Sequence, residues 1–398
     1  MTNLPQGWEV KKLEEIANIK GGKRLPKGEN LLDNNTKFAY IRVADFQDNG
    51  TINLQNIKFI NENTYNVLKN YKIYDDNLYI SIAGTIGKSG IIPKELNGAI
   101  LTENAVKLEY IQNNISNKFM YFFTLSNIFK TQIQTSTKIV AQPKLAITRL
   151  KQIQIPLPPL KEQERIVGIL DESFAKIDES IKILEQDLLN LDELMQSALQ
   201  KAFNPLKDNA KENYKLPQSW EWKSLEEISE NISAGGDKPK NCTESKTAKN
   251  QIPVYANGVN NNGLVGYTDK ATIIKPSLTI SARGTIGFVC IRKEPYFPIV
   301  RLISLIPCEN ILCLHYLYFC LNFFIAKGEG SSIPQLTIPK FKSLQIPLPP
   351  LKEQEQIAKH LDFVFEKTKA LKELYTKELK DYEELKQSLL NKAFKGKL

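Results

Sequence analysis

A segment of eleven residues occurs twice in this chain and constrains its architecture more than any other feature. Residues 154–164 read Gln-Ile-Pro-Leu-Pro-Pro-Leu-Lys-Glu-Gln-Glu, and residues 345–355 are identical. The triplet Lys-Ala-Phe returns at the same offset of 191 residues, at 201–203 and again at 392–394. Two matching halves are typical of a protein that binds at two similar places, and they argue against an enzyme with a single active site.

Two shorter repeats have different offsets. The openings Leu-Pro-Gln-Gly-Trp-Glu at 4–9 and Leu-Pro-Gln-Ser-Trp-Glu at 216–221 lie 212 residues apart. The sequence Gly-Thr-Ile-Gly occurs at 84–87 and 284–287, at an offset of 200. The repeated segments keep their order while the offsets change, so the segments between them differ in length between the two halves.

A long helix is predicted after each Pro-Leu-Pro-Pro, because consecutive prolines keep the chain extended and cannot lie inside a helix. In the first copy, apolar residues alternate in steps of three and four from Phe174 to Met195, which is a heptad seam. The second copy keeps the phase but has Thr368, Lys372 and Lys386 at three seam positions. We therefore expect two long helices that pack on each other as an antiparallel coiled coil.

These patterns predict an α+β chain with a pseudo-twofold internal repeat, in which two mixed α/β domains are separated by the two helices. The predicted segments are 1–153 (first mixed domain), 154–204 (central helix), 205–344 (second mixed domain, with a polar connector at 204–213) and 345–398 (C-terminal helix). Each mixed domain is expected to begin with a short amphipathic helix after its Trp and to end with an apolar helix. The expected strands are 38–43, 78–82, 278–281 and 299–305, and the closing helices are 119–125 and 312–320.

The net charge of +9 is concentrated in the mixed domains. Residues 1–153 carry 20 Lys and Arg against 13 Asp and Glu, and residues 205–344 carry 17 against 12, whereas 154–204 carry 5 against 10. Two basic modules suit a polyanion such as DNA. No apolar run approaches the roughly 20 residues that span a bilayer. All five cysteines lie in the second half, which favours a reducing cytoplasm over a shared disulfide framework.

Cationic and amide side chains near glycines are the candidate DNA contacts. Lys and Arg neutralise phosphates, Arg also reads guanine, Asn pairs with adenine, and glycine permits close approach of a backbone. The candidates are Lys23, Arg24, Lys27, Arg42 and Lys88 in the first half, and Lys238, Lys240, Asn257, Asn260, Asn261, Asn262 and Arg283 in the second. An ordinary turn or a solvated charged surface stays the alternative for each of them.

Motifs for catalysis are weak. The segment 84–88 lacks the four residues that separate the glycines of a P-loop, so we expect a tight turn between strands. Asp237, Glu244 and Lys246 have the order of a metal-dependent nuclease triad, but their stretch has no strands around it and no twin in the first half. A group of thiols and one imidazole fits no paired zinc-ligand spacing: Cys308, Cys313, His315 and Cys320. The sequence predicts no catalytic residue and no metal site in this chain.

Together these residues resemble the specificity subunit of type I restriction-modification systems, over nearly the whole chain. The resemblance rests on the duplicated segments 155–164 and 346–355, the Leu-Pro-x-x-Trp-Glu openings, the Gly-Thr-Ile-Gly turns, and the stretches 101–104 and 255–258. It implies that each mixed domain is a target-recognition domain for one half of a split DNA sequence, and that the helices fix the spacing. Recognition domains vary greatly in this family, so individual DNA-reading residues do not carry over.

The resemblance also implies partners. A non-catalytic specificity subunit of this kind joins two methyltransferase subunits, which carry S-adenosylmethionine and methylate adenine, and a motor-nuclease subunit that uses ATP and Mg²⁺. We therefore expect no cofactor in this chain and a cytoplasmic location. The helices of the family and their proline-rich starts contact the methyltransferase subunits, and the corresponding residues here are Leu160, Ile166, Leu170, Leu351, Ile357 and Leu361.

Three alternatives stay open at this stage. The chain could be a metal-dependent nuclease in its own right, using Asp237, Glu244 and Lys246. It could also be the specificity chain of another multi-subunit methyltransferase-nuclease system. A purely structural coiled-coil adaptor is the third, but it leaves the basic surplus of the two mixed domains without an explanation.

Overall fold

The computed structural model describes residues 4–33, 36–136, 144–203, 216–325, 328–329 and 336–398, so the predicted connector at 204–213 lies outside the described residues. The chain forms two compact units. Unit 1 is Met1–Leu184 with Lys377–Leu398, and unit 2 is Glu185–Thr376. Each unit combines one mixed domain with part of each long helix. The four segment boundaries drawn from the sequence therefore stay predictions.

Unit 1 contains short strands, short helices and the start of a long helix. Its strands are β1 (Glu9–Lys12), β2 (Ala17–Gly21), β3 (Ala39–Ile41), β4 (Lys58–Phe59), β5 (Lys72–Ile73), β6 (Leu78–Ser81), β7 (Ser89–Ile91), β8 (Ala99–Leu101), β9 (Ala105–Tyr110) and β10 (Gln154–Leu157). Its helices are α1 (Leu13–Ile16), α2 (Glu62–Val67), α3 (Asn117–Leu125), α4 (Asn127–Ser136), α5 (Ile147–Lys151) and the first part of α6 (Leu160–Phe203).

Two four-stranded sheets form the mixed domain of unit 1. One is antiparallel with the order β2-β9-β6-β7, and the other has the order β4-β3-β8-β5 with β3 parallel to β8. Alternate side chains of a strand point to opposite faces of the sheet, and β6 has a core on each face. Leu78 and Ile80 join a core with Phe119 and Phe123 of α3, and Tyr79 joins a second core with Phe46. This explains the continuous apolar run that predicted the strand.

Unit 2 repeats this organisation with different lengths. Its strands are β11 (Glu221–Ser224), β12 (Ser229–Ala234), β13 (Ile252–Tyr255), β14 (Leu264–Thr268), β15 (Ser277–Ile280), β16 (Thr285–Ile286), β17 (Val289–Arg292), β18 (Phe297–Pro298), β19 (Ile303–Pro307), β20 (Gly328–Glu329) and β21 (Gln345–Leu348). Its helices are α7 (Leu225–Ile228), α8 (Leu314–Phe324), α9 (Ile338–Lys342) and the first part of α10 (Leu351–Ala393).

The sheet order of unit 2 matches that of unit 1 although the sequences between the repeated segments differ. The sheet β12-β19-β15-β17 corresponds to β2-β9-β6-β7, and the parallel pair β13 and β18 corresponds to β3 and β8. Helix α8 packs over its sheet as α3 does, with Tyr316, Leu317 and Phe319 fully buried. The internal repeat predicted from short segments therefore extends through both mixed domains.

The two kinds of repeated segment are partners in space. Strand β1, from the opening, pairs antiparallel with β10, from the proline-rich segment, and β11 pairs with β21 in the same register. Lys12 faces Gln154, and Ser224 faces Gln345. The helices α1 and α7 were predicted correctly, but the strands β1 and β11 before them were missed. Their sequences, Glu-Val-Lys-Lys and Glu-Trp-Lys-Ser, are too polar to show the apolar alternation of a strand.

A buried glutamine of each proline-rich segment holds the start of a long helix against its domain. Gln163 accepts a hydrogen bond from the Ser116 backbone N–H (2.9 Å) and donates to the carbonyls of Asn114 (3.1 Å) and Pro158 (2.9 Å). Both ends of the side-chain amide are thus satisfied inside the protein. This is the physical reason for an amide at this position of the repeat, because a buried polar group needs partners.

Gln354 repeats the arrangement in unit 2. It accepts from the Cys313 backbone N–H (2.9 Å) and donates to the carbonyls of Ile311 (2.9 Å) and Pro349 (2.8 Å). Gln163 is 1% exposed and Gln354 is fully buried. Nothing in the repeated sequence marks either glutamine as buried, so this role was not predicted.

The long helices pair antiparallel within each unit, as predicted. In unit 1, Lys386 of α10 forms an ion pair with Asp178 of α6. In unit 2, Lys372 of α10 forms an ion pair with Asp192 of α6. The two residue numbers add to 564 in both pairs, so each unit shows the same antiparallel register. Lys372 and Lys386 therefore stand at seam positions of α10 because each one faces a carboxylate of α6.

Each Lys-Ala-Phe triplet closes the core of a unit. Phe394 lies in unit 1, where its ring centroid is 5.1 Å from that of Phe119 and 5.4 Å from that of Phe123. Phe203 lies in unit 2, where its ring is 5.5 Å from that of Tyr316. Both phenylalanines are buried, so the triplet recurs because each domain is completed by the end of a long helix.

One predicted strand begins later than expected. The run 299–305 was interpreted as a continuous strand, but β19 covers only its later part and extends to Pro307. Val300 (φ 54°) and Arg301 (φ 60°) adopt left-handed backbone conformations that end any regular strand. The prediction was wrong for 299–302 because an apolar run does not reveal a positive φ.

Candidate nucleic-acid interface

One end of the antiparallel sheet brings several predicted loops of unit 1 together. Strands β2 and β6 end there, while β9 and β7 begin there. The Gly22 N–H donates to the Ala105 carbonyl (2.9 Å), and the Ile82 N–H donates to the Asn104 carbonyl (2.8 Å). The cationic loop 22–27, the segment 102–104 and the turn 82–88 therefore lie side by side. We refer to this end as the loop end of the sheet.

Lys23, Arg24 and Lys27 are exposed at the loop end of unit 1, as a DNA-contacting role requires. Arg24 donates through Nε to Glu103 (2.8 Å), and its guanidinium pKa is raised by that hydrogen bond. Partial burial opposes ionisation of Glu103, but the bonds from Arg24, from its own backbone and from Thr102 hold the pKa of this carboxyl below its usual value. The ammonium group of Lys23 lies 5.8 Å from the ring centroid of Tyr71.

The glycine of this loop serves the protein's own packing. A Cβ on Gly22 would lie 2.1 Å from the Thr102 carbonyl oxygen and 2.3 Å from that of Leu101. From the sequence, this glycine was expected to permit close approach to a nucleic-acid backbone. The structure shows that the backbone it approaches is that of its own chain.

Arg42 is paired within its own chain. Its guanidinium donates from Nη2 to Oδ1 of Asp45 (2.6 Å), from Nε to Oδ2 of Asp45 (3.1 Å), and from Nη2 to the Asn56 carbonyl (3.0 Å). Asp45 is 2% exposed, so it depends on this pairing. The sequence does not show that a carboxylate three residues away pairs with this guanidinium. A DNA contact by Arg42 stays a prediction.

The Gly-Thr-Ile-Gly segments lie in the turns that connect antiparallel strands, as predicted, and in unit 2 the middle of the segment also forms the short strand β16. Gly84 (φ 74°) and Gly87 (φ 90°) are left-handed in unit 1, and Gly284 (φ 71°) and Gly287 (φ 80°) are left-handed in unit 2. These conformations favour glycine, which explains the repeat. The ammonium group of Lys88 contacts Asp48 (2.7 Å), so this cation is partly neutralised by its own chain.

The loop end of unit 2 is organised around Asn257. Its side chain donates to the Val300 carbonyl (2.6 Å) and accepts from the Ala282 N–H (2.8 Å). The Gly235 N–H donates to the Leu302 carbonyl (2.8 Å), which matches the bond between Gly22 and Ala105 in unit 1. Asn257 thus uses both ends of its amide internally. Base reading by Asn257 stays a prediction.

The other candidates of unit 2 are exposed. Lys238 and Lys240 lie in the loop that follows β12, and Arg283 lies in the turn after β15. The amide side chains of Asn260, Asn261 and Asn262 are also exposed, on the loop between β13 and β14.

The asparagine loop has an interior anchor. Asn261 (φ 48°) and Asn262 (φ 53°) are left-handed, which asparagine tolerates better than most residues. The Asn262 carbonyl accepts from Nη2 of Arg292 (2.5 Å). Arg292 is 8% exposed, stacks 3.5 Å from the ring centroid of Tyr255, and donates through Nε to Thr279 (3.0 Å). This anchor was not predicted, since nothing in the sequence marks Arg292 as buried.

The model of the type I restriction modification DNA specificity domain matches this chain twice, at residues 5–188 and 217–381. The chain belongs to this family. A putative type I specificity subunit of Mycoplasma pneumoniae is 29% identical over 88% of this chain and 87% of its own length. The MjaX specificity subunit, a putative type I restriction enzyme component of Methanocaldococcus jannaschii, is 24% identical and covers 99% of this chain and 94% of its own length.

Solved structures show the same fold. A chain from a structure on complex assembly and conformational transition of the type I R-M system has a TM-score of 0.81 and 20% identity, with 100% of both chains covered. The HsdS subunit from Thermoanaerobacter tengcongensis has a TM-score of 0.60 and 21% identity, with 100% of this chain and 98% of that chain covered. The predicted fold class and the predicted function in DNA recognition for a type I system are confirmed.

Burial divides the six residues predicted to contact methyltransferase subunits. Ile166, Leu170 and Leu361 are at most 1% exposed and belong to the cores of the two units, so the side chains of these three cannot form a surface for a partner. Ile357 is half-buried against the core of unit 2, and Leu160 and Leu351 are half-buried at the first residues of α6 and α10. A partner contact at the helix starts stays a prediction.

The residues considered for a nuclease triad are all exposed. Asp237, Glu244 and Lys246 lie in the loops between β12 and β13, where the ammonium group of Lys246 is 5.6 Å from the ring centroid of Tyr267. Across the described ranges, no three His, Cys, Asp or Glu side chains come together in a way that could hold a metal ion.

Two further expectations concern the thiols and the membrane. Cys320 is fully buried, and burial raises its thiol pKa well above the ordinary value. His315 contacts Asp362 of α10 through Nδ1 (2.7 Å) rather than the nearby cysteines. None of the helices that the structure describes combines the length and the apolar composition needed to cross a membrane.

Proposed function

We propose that the two mixed domains of this specificity-family chain each read one half of a bipartite DNA target, and that the long helices fix the spacing between the halves. The chain would serve as a non-catalytic adaptor in the cytoplasm. Two methyltransferase subunits carrying S-adenosylmethionine would methylate adenine in the target, and a motor-nuclease subunit using ATP and Mg²⁺ would join for cleavage.

The observation that carries this proposal is the loop end of the sheet, which has the same construction in both units. In each unit the loop after the first strand of the sheet exposes cationic side chains: Lys23, Arg24 and Lys27 in unit 1, and Lys238 and Lys240 in unit 2. The turn after the third strand follows with its two left-handed glycines. Cations of this kind position a protein on phosphates, and the neighbouring loops can then contact base edges.

The helix pair supports the spacing role. Helix α6 has 44 residues, which corresponds to about 66 Å at about 1.5 Å per residue. Inter-helix ion pairs in one register occur in both units, and each unit is closed by a phenylalanine from the end of a long helix. A pair of long helices would convert two short recognition events into one long target of defined spacing.

The test is a selection of random duplex DNA by the chain purified with its co-expressed methyltransferase, together with the mass of the complex. Two short specified segments separated by a run of unspecified bases, bound by a complex with two methyltransferase copies, would support the proposal. A single continuous target would contradict bipartite reading. A different partner set in the purified complex would favour the alternative of another multi-subunit methyltransferase-nuclease system.

A further inference from the structure

The seven arginines of this chain are used very unequally. Arg24, Arg42 and Arg165 contact carboxylates, and Arg292 is buried against Tyr255 and Asn262. Arg149 also takes part in an interaction. Only Arg283 and Arg301 have no partner within the described part of the chain, and both side chains are exposed. Only seven of the 53 basic side chains of this chain are arginines. The two arginines without a partner in the described part of the chain lie in neighbouring loops.

Asn257 connects those two loops. Its Oδ1 accepts from the N–H of Ala282, the residue before Arg283, and its Nδ2 donates to the carbonyl of Val300, the residue before Arg301. One side chain thus fixes the separation of the two backbone positions that carry the arginines. This arrangement is expected of a residue that positions Arg283 and Arg301, since both ends of the Asn257 amide bond to the backbone beside them.

The conformation of the second loop supports the same interpretation. Val300 and Arg301 are both left-handed, and a β-branched residue adopts this conformation only at a cost. The Val300 N–H donates to the Gly236 carbonyl and the Arg301 N–H to the Gly235 carbonyl, both at 2.8 Å. A strained turn that is held by three hydrogen bonds and ends in an exposed arginine is typical of a functional position.

Unit 1 lacks this pair of arginines at the matching places. Ala83 corresponds to Arg283, because both precede the first glycine of the turn. The N–H of Thr102 donates to the carbonyl of Ile41, at the end of β3, and the N–H of Ile299 donates to the carbonyl of Tyr255, at the end of β13. Thr102 and Ile299 therefore correspond, and so do the residues two positions later, Asn104 and Arg301. The arginine pair therefore distinguishes the two units and cannot be a requirement of the shared fold.

We propose that Arg283 and Arg301 are the base-reading residues of unit 2, that they recognise guanine, and that Asn257 is their positioning residue. The guanidinium fork matches the O6 and N7 acceptors of guanine in the major groove, whereas a lysine on a phosphate acts as a point charge. This inference rests on the proposed function. It adds which residues read, which base they read and in which half of the target.

The test uses the complex with its co-expressed methyltransferase, and the variants Arg283→Lys, Arg301→Lys and Asn257→Asp. Each lysine keeps the positive charge and removes the bidentate fork, so a phosphate contact would survive while guanine reading would not. Asn257→Asp keeps the acceptor for Ala282 and loses the donor to Val300. The control is Lys293→Ala, an exposed lysine just after β17, at the end of the sheet opposite the loops.

Random-duplex selection and binding to single-base variants of the selected target give the readout. We expect guanine in the half-site of unit 2, and each Arg→Lys variant should lose roughly 5- to 150-fold of the discrimination at one guanine position, the range for one bidentate pair. The other half-site should be unchanged. Asn257→Asp should lower the preference at both guanine positions, and Lys293→Ala at neither. Circular dichroism and thermal unfolding establish that each variant is folded.

Two results would overturn the inference. One is a bipartite target in which neither half depends on Arg283 or Arg301 for a guanine preference. The other is an Arg→Lys variant that binds all sequences with the wild-type ranking, which would make these arginines phosphate contacts. A wild-type complex that selects no bipartite target would instead refute the proposed function, so the two failures are distinguishable.

Discussion

Replacing the buried glutamine at the start of a long helix should destabilise one unit and leave the other intact. The variants are Gln163→Ala for unit 1 and Gln354→Ala for unit 2. Each removes one acceptor and two donors that the protein interior uses fully. A matched control is Gln356→Ala, an exposed glutamine two residues after Gln354 on the same helix.

The magnitude follows from the bonds that are lost. The N–H of Ser116 loses its acceptor, which costs about 1–3 kcal/mol for a buried donor, and two carbonyls each lose a bond worth about 0.5–1.5 kcal/mol. Release of the ordered side chain returns up to about 2 kcal/mol. The lost bonds total about 2–6 kcal/mol, with a mid-range of about 4 kcal/mol. After the returned entropy, the mid-range loss of local unfolding free energy is about 2–4 kcal/mol for Gln163→Ala, and the same for Gln354→Ala because the bonds are equivalent. Gln356→Ala should stay within about 0.5 kcal/mol.

The assay is native-state hydrogen exchange with mass spectrometry, because a chain of two units has no single free energy of unfolding. Peptides from α3 and the first part of α6 report on unit 1, and peptides from α8 and the first part of α10 report on unit 2. Protection should fall in the unit that carries the substitution. Equal protection in Gln354→Ala and Gln356→Ala would refute the reasoning.

The isosteric substitution Gln163→Glu should make the stability of unit 1 depend on pH. In Gln163→Glu the new carboxyl would lie beside two carbonyl oxygens and away from water, so its pKa in the folded state would rise above the ordinary value of about 4.3. A raised folded-state pKa means that the variant is most stable when the carboxyl is protonated and loses stability as the pH rises through that pKa. Unfolding of Gln163→Glu should become easier from acidic to neutral pH, relative to wild type. A parallel pH profile for the two proteins would contradict this account.

Three further outcomes are expected. Arg42→Ala should lower stability by about 1–3 kcal/mol, because it leaves the buried Asp45 without its main partner, and should not change the DNA sequence selected; an altered target would contradict the assignment of Arg42 to structure. Lys386→Asp and Asp178→Lys should each weaken helix pairing in unit 1 by under about 1 kcal/mol, and the double exchange should restore it at low salt; additive losses would show that the pair contributes nothing. Glu244→Ala should leave methylation and cleavage by the assembled complex at wild-type rates, and their loss would favour the nuclease alternative.

The repeated segments allowed the fold to be predicted because each has a local physical cause. The prolines end the strands β10 and β21 and let a long helix begin just after them. The left-handed turns favour glycine, and the heptad spacing indicates that a second helix packs against the seam. The polar opening strands β1 and β11 escaped prediction because their pairing depends on a partner more than 120 residues away in the chain. The order of strands in each sheet has no signature in the sequence at all.

The candidate site could be predicted only at the level of loops. The cationic and asparagine loops are exposed where the letters suggested, but Arg42 and Asn257 turned out to be occupied inside the protein. Composition cannot tell a side chain that is free from one that is held by a carboxylate or a carbonyl. The same limit concealed Arg292, an arginine that the fold buries.

Binding of the chain, with its co-purified methyltransferase, to targets that differ only in the separation of the two half-sites tests the central claim most directly. If the long helices fix the spacing, affinity should be highest at one separation and fall sharply when a single base pair is added or removed, while each half-site alone binds weakly. Equal affinity across a range of separations would contradict the account, because the two domains would then read DNA without a fixed spacer.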